Sequence, residues 1–503
     1  MKGLPMSHPS STATPTAGTT LKRQFRMRDA FTIAFVFISP IVALYAVFGL
    51  VMQAAGPAGW WAFAIVLVLQ LLIALSLGIL VSRWPFQGGS YQWARRLVGE
   101  SYGWAAGWAY IWTIIIVIAS NAYAIASFIP PLLGIPEFSL PEHIAVALGI
   151  LVATTALNLI GPVVLKILTR LSLAAEVIGS IVLATVLLIW HREQPLSILF
   201  TSGGAADGDY LWGGFILAIG FVGFGFAGFE TVCSMAEEID RPEKNLPKAI
   251  VGALATIGIV VLYSSLALVL STPDFGAVIT GAIVDPAANN IGEALGPGIS
   301  QPFFALVIIG FAASMLTAQT SISRVIWSFS RDGVLPASRF MSMLSTKHRT
   351  PNRAIIVVGL LAIVITLLAF SEQVYATLIA AAAGGFFVTM GLVVVALFAR
   401  IIGKKWRSGP FSLGIFTTPV VAGAAAWIVF EVINLAWPRN SGDVPWYVAW
   451  SVPIGLAGIA VVGLVVWLSV RDRIRNINNE LHAHHEIVGE DDAVGSESLP
   501  ANS

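Results

Sequence analysis

The sequence predicts an all-α polytopic membrane protein with about 12 transmembrane helices. Of its 503 residues, 57% are hydrophobic and only 11% are charged, whereas a soluble protein carries about 25% charged residues. Apolar runs of about 20 residues, long enough to cross the hydrocarbon core of a bilayer, recur along the chain. We therefore take lipid, rather than water, to be the solvent of most of this chain.

The apolar runs define the predicted spans, which we number in chain order. They lie near residues 31–55, 60–82, 104–128, 143–160, 168–190, 212–235, 249–270, 302–328, 354–370, 374–399, 415–436 and 446–470.

The distribution of basic residues predicts the orientation of these spans. With the N-terminus in the cytoplasm, all of the 28 Lys and Arg residues fall on the cytoplasmic side except Arg192 and Arg439. Such an excess of basic residues in cytoplasmic loops is the positive-inside rule. We therefore expect a multi-pass protein of the cell membrane with both termini in the cytoplasm.

The organisation of the chain places its chemistry inside the membrane. Residues 1–28 and 476–503 are polar and poor in aromatic side chains, which predicts two disordered cytoplasmic tails. The loops between the spans are too short for a soluble catalytic domain, although the longest outer connection, 272–301, is expected to form a short lid. This arrangement points to transport, with a ten-helix transport core in residues 29–400 and helices 11 and 12 in residues 401–475.

The candidates for metal ligands in the sequence are a single cysteine and three histidines of the C-terminal tail. The lone Cys233 forms no internal disulfide and fits no metal pattern. The tail histidines His482, His484 and His485 are either metal ligands or, as we favour, part of a solvated tail without structure. We therefore expect no metal site and no cofactor.

Two spans contain residues that interrupt a helix. Pro40 follows Ser39 near the middle of span 1, where it removes a backbone donor and clashes with the preceding turn. Residues 220–228 of span 6 contain four glycines, Gly220, Gly223, Gly225 and Gly228. Irregular backbone at membrane depth is tolerated only where it is buried in protein or lines a cavity. Each feature by itself is also compatible with a proline kink or with glycine packing against a neighbouring helix.

The positions of the two interruptions favour a binding site. Spans 1 and 6 are corresponding members of two five-helix halves, about 31–190 and 212–399, which predicts a five-plus-five inverted repeat with broken helices 1 and 6. Interrupted helices at matching positions in two halves indicate a site near the bilayer midplane. The ends of the half-helices carry partial charges that face ions or charged groups of a substrate.

Several stretches carry a family resemblance. The segment Gly225–Ile250, GFAGFETVCSMAEEIDRPEKNLPKAI, resembles span 6 and the following loop of the amino acid–polyamine–organocation (APC) superfamily. The segment Ala54–Trp61 resembles the end of its span 1, Pro85–Gly99 resembles its loop between spans 2 and 3, and Ser330–Phe340 with Arg349–Ile355 resembles its loop between spans 8 and 9. The resemblance covers roughly residues 30–470 and is greatest to the amino acid/choline/GABA permease branch. It implies twelve helices and a substrate held between the breaks of helices 1 and 6.

The resemblance also implies which residues contact the substrate. We carry the family's binding positions onto the matching positions of this chain and add Asn121 of span 3, which could also line the site. The predicted substrate-binding residues are then Ser39, Ile41, Val42, Ala43, Tyr45, Asn121, Gly223, Phe224, Gly225 and Phe226. Phe224 is either an aromatic gate over the substrate or a packing residue.

Span 1 departs from the family pattern. Family members often have small residues at this break, whose bare amides receive a substrate carboxylate, whereas Val42 and Leu44 would crowd those amides here. An amine without an α-carboxylate, or one bound in a shifted position, therefore becomes a candidate beside amino acids.

Three acidic residues lie within spans, where ionisable groups are costly and mark function by default. Glu176 lies about 10 Å into span 5, and burial favours its protonated form, so we prefer it as the proton-coupling residue. Glu230 follows the span 6 break and either takes part in coupling or binding, or ties span 6 to its neighbours. Glu431 is near the outer end of span 11, where an interfacial position is expected.

A polar run, Ser314–Ser323, occupies span 8. Its hydroxyl groups could help to coordinate sodium where span 8 meets span 1, or they could bond back to their own helix backbone. We rank coupling to protons above coupling to sodium.

The predicted function is a secondary transporter, a permease that moves amino acids or related amines by alternating access, with proton symport or exchange. Permeases for choline, GABA, polyamines or other small organic solutes are the alternatives. A membrane-embedded enzyme is disfavoured because the spans contain no catalytic cluster, and a channel because no continuous polar stripe is present. No phosphate-binding loop for ATP occurs. The expected partners are the small solute and the lipid bilayer, with no nucleic acid, and the oligomeric state is open.

Overall fold

The computed structural model describes residues 26–86, 88–205, 209–283, 285–345, 350–368, 374–438 and 446–494. Within the first half of the chain the α-helices are Met27–Ile38, Pro40–Tyr45, Phe48–Ala55, Trp60–Arg83, Ser90–Leu97, Glu100–Leu133, Leu140–Ile160, Pro162–Glu176, Leu183–Trp190 and Ile216–Gly225. In the second half they are Pro242–Ser271, Phe275–Ile279, Pro286–Leu295, Pro297–Arg331, Ser338–Met341, Asn352–Leu367, Val374–Ile402, Thr417–Ala436, Trp446–Ala449 and Ser451–Val494. Shorter 3-10 or π turns are Pro57–Gly59, Val177–Val182, Leu196–Phe200, Leu211–Phe215, Thr231–Glu238 and Gly414–Phe416.

These helices confirm the prediction of an all-α polytopic membrane protein. In the described ranges, 10 helical segments are long and apolar enough to cross a membrane. The two remaining predicted spans, 6 and 9, hold the shorter apolar helices Leu211–Gly225 and Asn352–Leu367. Span 6 is short because its helix breaks, and span 9 ends next to residues 369–373, which lie outside the described part of the chain.

Span 1 breaks at the predicted position. Its first helix ends at Ile38, and Ser39 adopts a φ of 54° before a new helix begins at Pro40. A φ in this left-handed region is uncommon for a serine, and Pro40 suits the first position of the new helix. The hydroxyl oxygen of Ser39 accepts a hydrogen bond from the backbone N–H of Val42 at 3.1 Å and so caps the new helix.

Span 6 breaks after Gly225. The chain is non-helical around Gly228, whose φ is 100°, and it continues as a 3-10 helix over Thr231–Glu238. A Cβ atom at Gly228 would lie 2.0 Å from the ring of Phe37, and one at Gly225 would lie 2.5 Å from the carbonyl oxygen of Ala43. The glycines of span 6 therefore let the two broken helices touch.

Basic loops meet at one end of the molecule. The Arg83 side chain donates to the carbonyl of Arg407, and the Arg400 side chain donates to the carbonyl of Leu97 at 2.7 Å. Arg192, predicted on the other side, lies at the opposite loops, where its neighbour Gln194 donates to the carbonyl of Thr272 at 3.0 Å. Arg439 falls outside the described residues.

The tails lie mostly beyond the described part. Residues 1–25 and 495–503 are outside it, and so are the side chains of the three tail histidines. The last helix continues through Val494 and so enters the segment 476–503 that composition predicts to be disordered. Between Arg471 and Val494 the sequence has no proline and one glycine, which is compatible with a helix.

The outer connection after span 7 folds into two short helices. Phe275–Ile279 and Pro286–Leu295 are capped by aspartates: Asp274 accepts from the N–H of Ala277 at 3.1 Å, and Asp285 accepts from the N–H of Ala288 at 2.9 Å.

We expect Asp285→Asn to stabilise the protein at neutral pH. Burial raises the pKa of Asp285 from 3.8 to about 6, against hydrogen bonds from the backbone that lower it. Because the pKa of Asp285 is higher in the folded state than in the unfolded state, its protonation adds to the free energy of unfolding. This addition is fully present below about pH 4 and is lost as the pH rises through about 6. Asparagine caps a helix equally well and carries no charge.

The measurement is thermal unfolding of both proteins in detergent from about pH 4 to about pH 7.5. The variant is expected to melt about 2 °C higher at the upper end, with a difference that shrinks towards the lower end. Asp274→Asn, at the exposed cap of the neighbouring helix, is the control and should show no such trend. An equal effect of both variants would contradict the explanation.

Candidate functional site

A small cavity lies between the breaks of spans 1 and 6. Its volume is about 20 Å³, room for about one water molecule and far less than the hundreds of Å³ of a typical ligand pocket. The cavity is lined by Phe37, Ile38, Val42, Thr113, Ile114, Val117, Asn121, Phe224, Gly225, Ala227, Gly228, Ser314, Ala382 and Phe386. The structure is thus closed at this point, and the space between the two breaks is too small for an organic solute.

Four of the predicted substrate-binding residues line this cavity. They are Val42, Asn121, Phe224 and Gly225. Phe224 is only 5% exposed, and the side-chain amide nitrogen of Asn121 lies 3.5 Å from the hydroxyl of Ser314. Spans 1, 3 and 6 therefore come together at this point, as the sequence predicts.

The other predicted residues surround the cavity without being among its lining residues. The Ile41 side chain packs towards Gly179 and Gly310. The Tyr45 hydroxyl donates to the carbonyl of Gly179 at 3.3 Å. Ala43 presents its backbone to Gly225, Gly223 faces the ring of Phe387, and Phe226 and Ser39 are buried.

Glu176 lies on the break of span 1. One of its carboxylate oxygens accepts a hydrogen bond from the Ser39 hydroxyl, and the other accepts from the backbone N–H of Ile41 at 2.9 Å. The Glu176 residue is 1% exposed. A π turn begins in span 5 directly after it, at Val177, and such turns occur frequently at functional sites. Hydrogen bonds to a charged group are worth about 1.5 to 3 kcal/mol each, so this contact is a substantial link between spans 1 and 5.

Glu230 lies directly after the span 6 break and is 3% exposed. Neither of its carboxylate oxygens has a hydrogen-bond partner of ordinary geometry among the described residues. Tyr110 of span 3 is the polar side chain that interacts with it. A buried acid with so few partners is costly, which supports a functional reason for its presence.

The expectation that Glu431 is interfacial is wrong. Its side chain is fully buried at 0% exposure, and both carboxylate oxygens lie 3.3 Å from the side-chain amide of Asn434. Asn434 also donates to the carbonyl of Ile216 at 2.9 Å. Glu431 thus faces span 6 rather than the membrane surface.

The polar run of span 8 is largely engaged with neighbouring helices. Ser314 donates to the carbonyl of Phe37 at 2.6 Å. Gln319 and Thr320 bond to Thr155 and Asn158 of span 4, and Ser321 pairs with Ser234 at 2.7 Å. These bonds give the run a packing role, and sodium binding here stays a prediction. In the described part of the chain, no three His, Cys, Asp or Glu residues group as metal ligands do.

Sequence reasoning missed the part of the cavity wall that span 10 supplies. Ala382 and Phe386 are four residues apart and share one face of that helix, but an alanine and a phenylalanine in a membrane span carry no signal of a binding site. Thr113 and Val117 of span 3 could have been predicted as lining residues, because they lie eight and four residues before Asn121 and therefore on the same helical face.

A larger cavity of about 390 Å³ lies elsewhere, between spans 3, 10 and 12. Its walls are almost wholly apolar, with Trp104, Trp108 and Trp467 among the largest side chains. It is lined by neither broken helix, so we do not assign it to substrate.

Comparison with known proteins identifies the family. Residues 29–461 match the family model described as "Amino acid permease". The chain is 25% identical to the GABA-specific permease of Saccharomyces cerevisiae over 467 residues, covering 84% of this chain and 77% of that protein. It is 26% identical to the branched-chain amino acid permease BcaP of Lactococcus lactis over 304 residues, covering 56% of this chain and 63% of that protein.

A third relative spans more of the chain. An uncharacterized amino-acid permease of Schizosaccharomyces pombe is 24% identical over 504 residues, covering 96% of this chain and 87% of that protein. The predicted resemblance to the APC superfamily is confirmed by these matches. The chain therefore belongs to the amino acid permease family and is a membrane transporter of amino acids or related amines.

Proposed function

We propose that the protein is a proton-coupled secondary transporter of the cell membrane, with both termini in the cytoplasm and with its substrate held between the breaks of spans 1 and 6. Proton symport and proton-linked exchange are both compatible with this proposal. The observation that carries it is the Glu176 carboxylate seated on the span 1 break. Because this titratable group is hydrogen-bonded to the helix that begins at the break, Pro40–Tyr45, any movement of that helix can depend on proton binding.

Protonation of Glu176 would weaken the link between spans 1 and 5. The ionised carboxylate accepts hydrogen bonds from Ser39 and Ile41, and charge-assisted bonds of this kind are about twice as strong as neutral ones. A protonated carboxyl is a weaker acceptor for both donors. Proton binding therefore favours release of the helix Pro40–Tyr45 and opening of the cavity.

The packing of the helices supports movement of two halves. Span 2 packs along span 7, and span 3 packs along span 8. A five-plus-five division relates these same pairs, so the two halves would meet along matching helices. The closed cavity of about 20 Å³ is compatible with an occluded step of alternating access.

The candidate substrates are small amines and amino acids. Two relatives are named for GABA and for branched-chain amino acids, and choline and polyamines extend the set on the chemistry of the site. The lining residues are apolar, aromatic or neutral polar side chains, and none of them is charged.

Uptake by proteoliposomes that contain the purified full-length protein tests the proposal. An inward proton gradient of about two pH units should drive accumulation of at least one radiolabelled member of this set above its equilibrium level. An ionophore that collapses the gradient should abolish accumulation. Uptake that never exceeds equilibrium and ignores the gradient would overturn proton coupling, whereas no uptake or exchange of any member would overturn the substrate class.

A further inference from the structure

We infer that the Glu176 carboxyl group fills the position at the span 1 break that a substrate carboxylate would take, and that it thereby makes the site selective for organic amines without a carboxylate over the corresponding amino acids. This inference rests on the proposed function and specifies the substrate class of the same site.

The backbone donors of the break are already used. The start of a helix presents unpaired N–H groups that attract anions. In the helix Pro40–Tyr45, Pro40 has no N–H, and the N–H of Ile41 donates to Glu176 at 2.9 Å. The N–H of Val42 donates to the Ser39 hydroxyl at 3.1 Å, and that of Ala43 donates to the Ser39 carbonyl at 2.8 Å. A substrate carboxylate would find none of these three donors available.

A second carboxylate at the break would also meet an unfavourable charge while Glu176 is ionised. Glu176 is almost completely buried, and like charges repel strongly where water is excluded. None of the residues that line the cavity is Lys or Arg, so the cavity wall supplies no cation to offset this repulsion. The side chain of Ile41, packed towards Gly179 and Gly310, fills the remaining space beside the break.

The polar groups that face the cavity favour a ligand that donates a hydrogen bond. Ser314 uses its hydroxyl hydrogen on the carbonyl of Phe37 at 2.6 Å, so the atom of Asn121 that faces Ser314 has to be the amide nitrogen. The Asn121 side-chain oxygen is then left as an acceptor that is buried and has no partner in the described part of the chain. An ammonium group of a substrate would supply the missing donor.

The aromatic side chains favour a cation as well. Phe37, Phe224 and Phe386 line the cavity, and the face of an aromatic ring attracts organic cations, more strongly when water is absent. Glu230 lies two residues beyond Gly228 of the cavity wall and adds a further carboxyl oxygen as an acceptor nearby. The site as a whole thus offers acceptors and aromatic faces to a ligand, and offers few donors.

Matched ligand pairs test the inference on the full-length protein. Each amino acid is compared with the amine that lacks its carboxylate: leucine with 3-methylbutylamine, lysine with cadaverine, and GABA with propylamine. Binding is measured by thermal shift and by competition with uptake. In at least one pair the amine is expected to bind at least about tenfold more tightly than its partner.

Two variants of Glu176 test whether this side chain causes the preference for the amine over the amino acid. Glu176→Ala frees the N–H of Ile41 and removes the charge, so the affinity for the amino acid of the pair should rise at least about fivefold relative to the amine. Glu176→Gln removes the charge but keeps an acceptor for the N–H of Ile41, so it should raise the relative affinity for the amino acid by less than Glu176→Ala does.

The comparison of amines with amino acids on the wild-type protein tests the inference even if a variant fails to fold. If no amine binds the wild-type protein more tightly than the amino acid of its pair, the inference fails and the proposed function stays intact. If neither member of any pair binds or is transported, both the inference and the proposed substrate class fail.

Discussion

Glu176→Gln is expected to abolish concentrative uptake and to make the remaining transport independent of pH between about pH 5.5 and about pH 7.5. Glutamine has nearly the same shape and can still accept a hydrogen bond from the N–H of Ile41, but it cannot gain or lose a proton. The cycle then lacks the step in which proton binding weakens the link between spans 1 and 5. Exchange of substrate down its gradient should persist.

The measurement is uptake and counterflow in proteoliposomes, with and without a proton gradient. Glu431→Gln is the matched control, because Glu431 is an equally buried acid of the membrane region that bonds to Asn434 away from both breaks. The control should keep its proton-driven accumulation. If Glu176→Gln also accumulates substrate under a proton gradient, then Glu176 is not the coupling residue, and Glu230 becomes the next acid to test.

Gly225→Ala is expected to reduce the rate of transport by more than about tenfold. A Cβ atom at this position would lie 2.5 Å from the carbonyl oxygen of Ala43 and 3.3 Å from its carbonyl carbon. Both atoms belong to the backbone of the span 1 break, so no rotation of a side chain can relieve the overlap. The closed form would have to separate spans 1 and 6 at the cavity itself.

Gly252→Ala is the control for this variant. Gly252 is also a helical glycine of a membrane span, but an added Cβ atom would lie 3.7 Å from the ring of Phe31, an ordinary contact. Initial rates of uptake are compared after both variants are shown to elute as monodisperse protein. A Gly225→Ala variant that transports within about twofold of wild type would show that the breaks need not touch during the cycle.

The prediction from sequence succeeded where the signal is local. Long apolar segments located the 10 helices of the described residues that are long enough to cross a membrane and the two shorter apolar helices, because a helix in lipid has to satisfy its own backbone hydrogen bonds. Pro40 and the glycines of span 6 marked both breaks, because these residues change backbone geometry wherever they occur. Glu176 was identified as unusual because an acid within a span is costly whatever its partners are.

The prediction failed where the answer depends on which face of a helix meets which neighbour. Glu431 was assigned to the interface from its depth in span 11, but its helix turns it inward to Asn434. Ala382 and Phe386 form a wall of the cavity although both are ordinary apolar residues of a membrane span. Hydrophobicity reports depth in the membrane, whereas helices in lipid associate through packing and polar contacts that a uniform apolar sequence does not reveal.

Composition and local residue types were enough to predict that this chain crosses the membrane many times, where two of its helices break and which acids inside the membrane need an explanation. The hydrogen bond between Ser39 and Glu176 at the break could not be predicted, because these residues are 137 positions apart in the chain. A buried carboxylate needs hydrogen-bond donors, and the donors of a broken helix become its partners only when packing brings the two spans together.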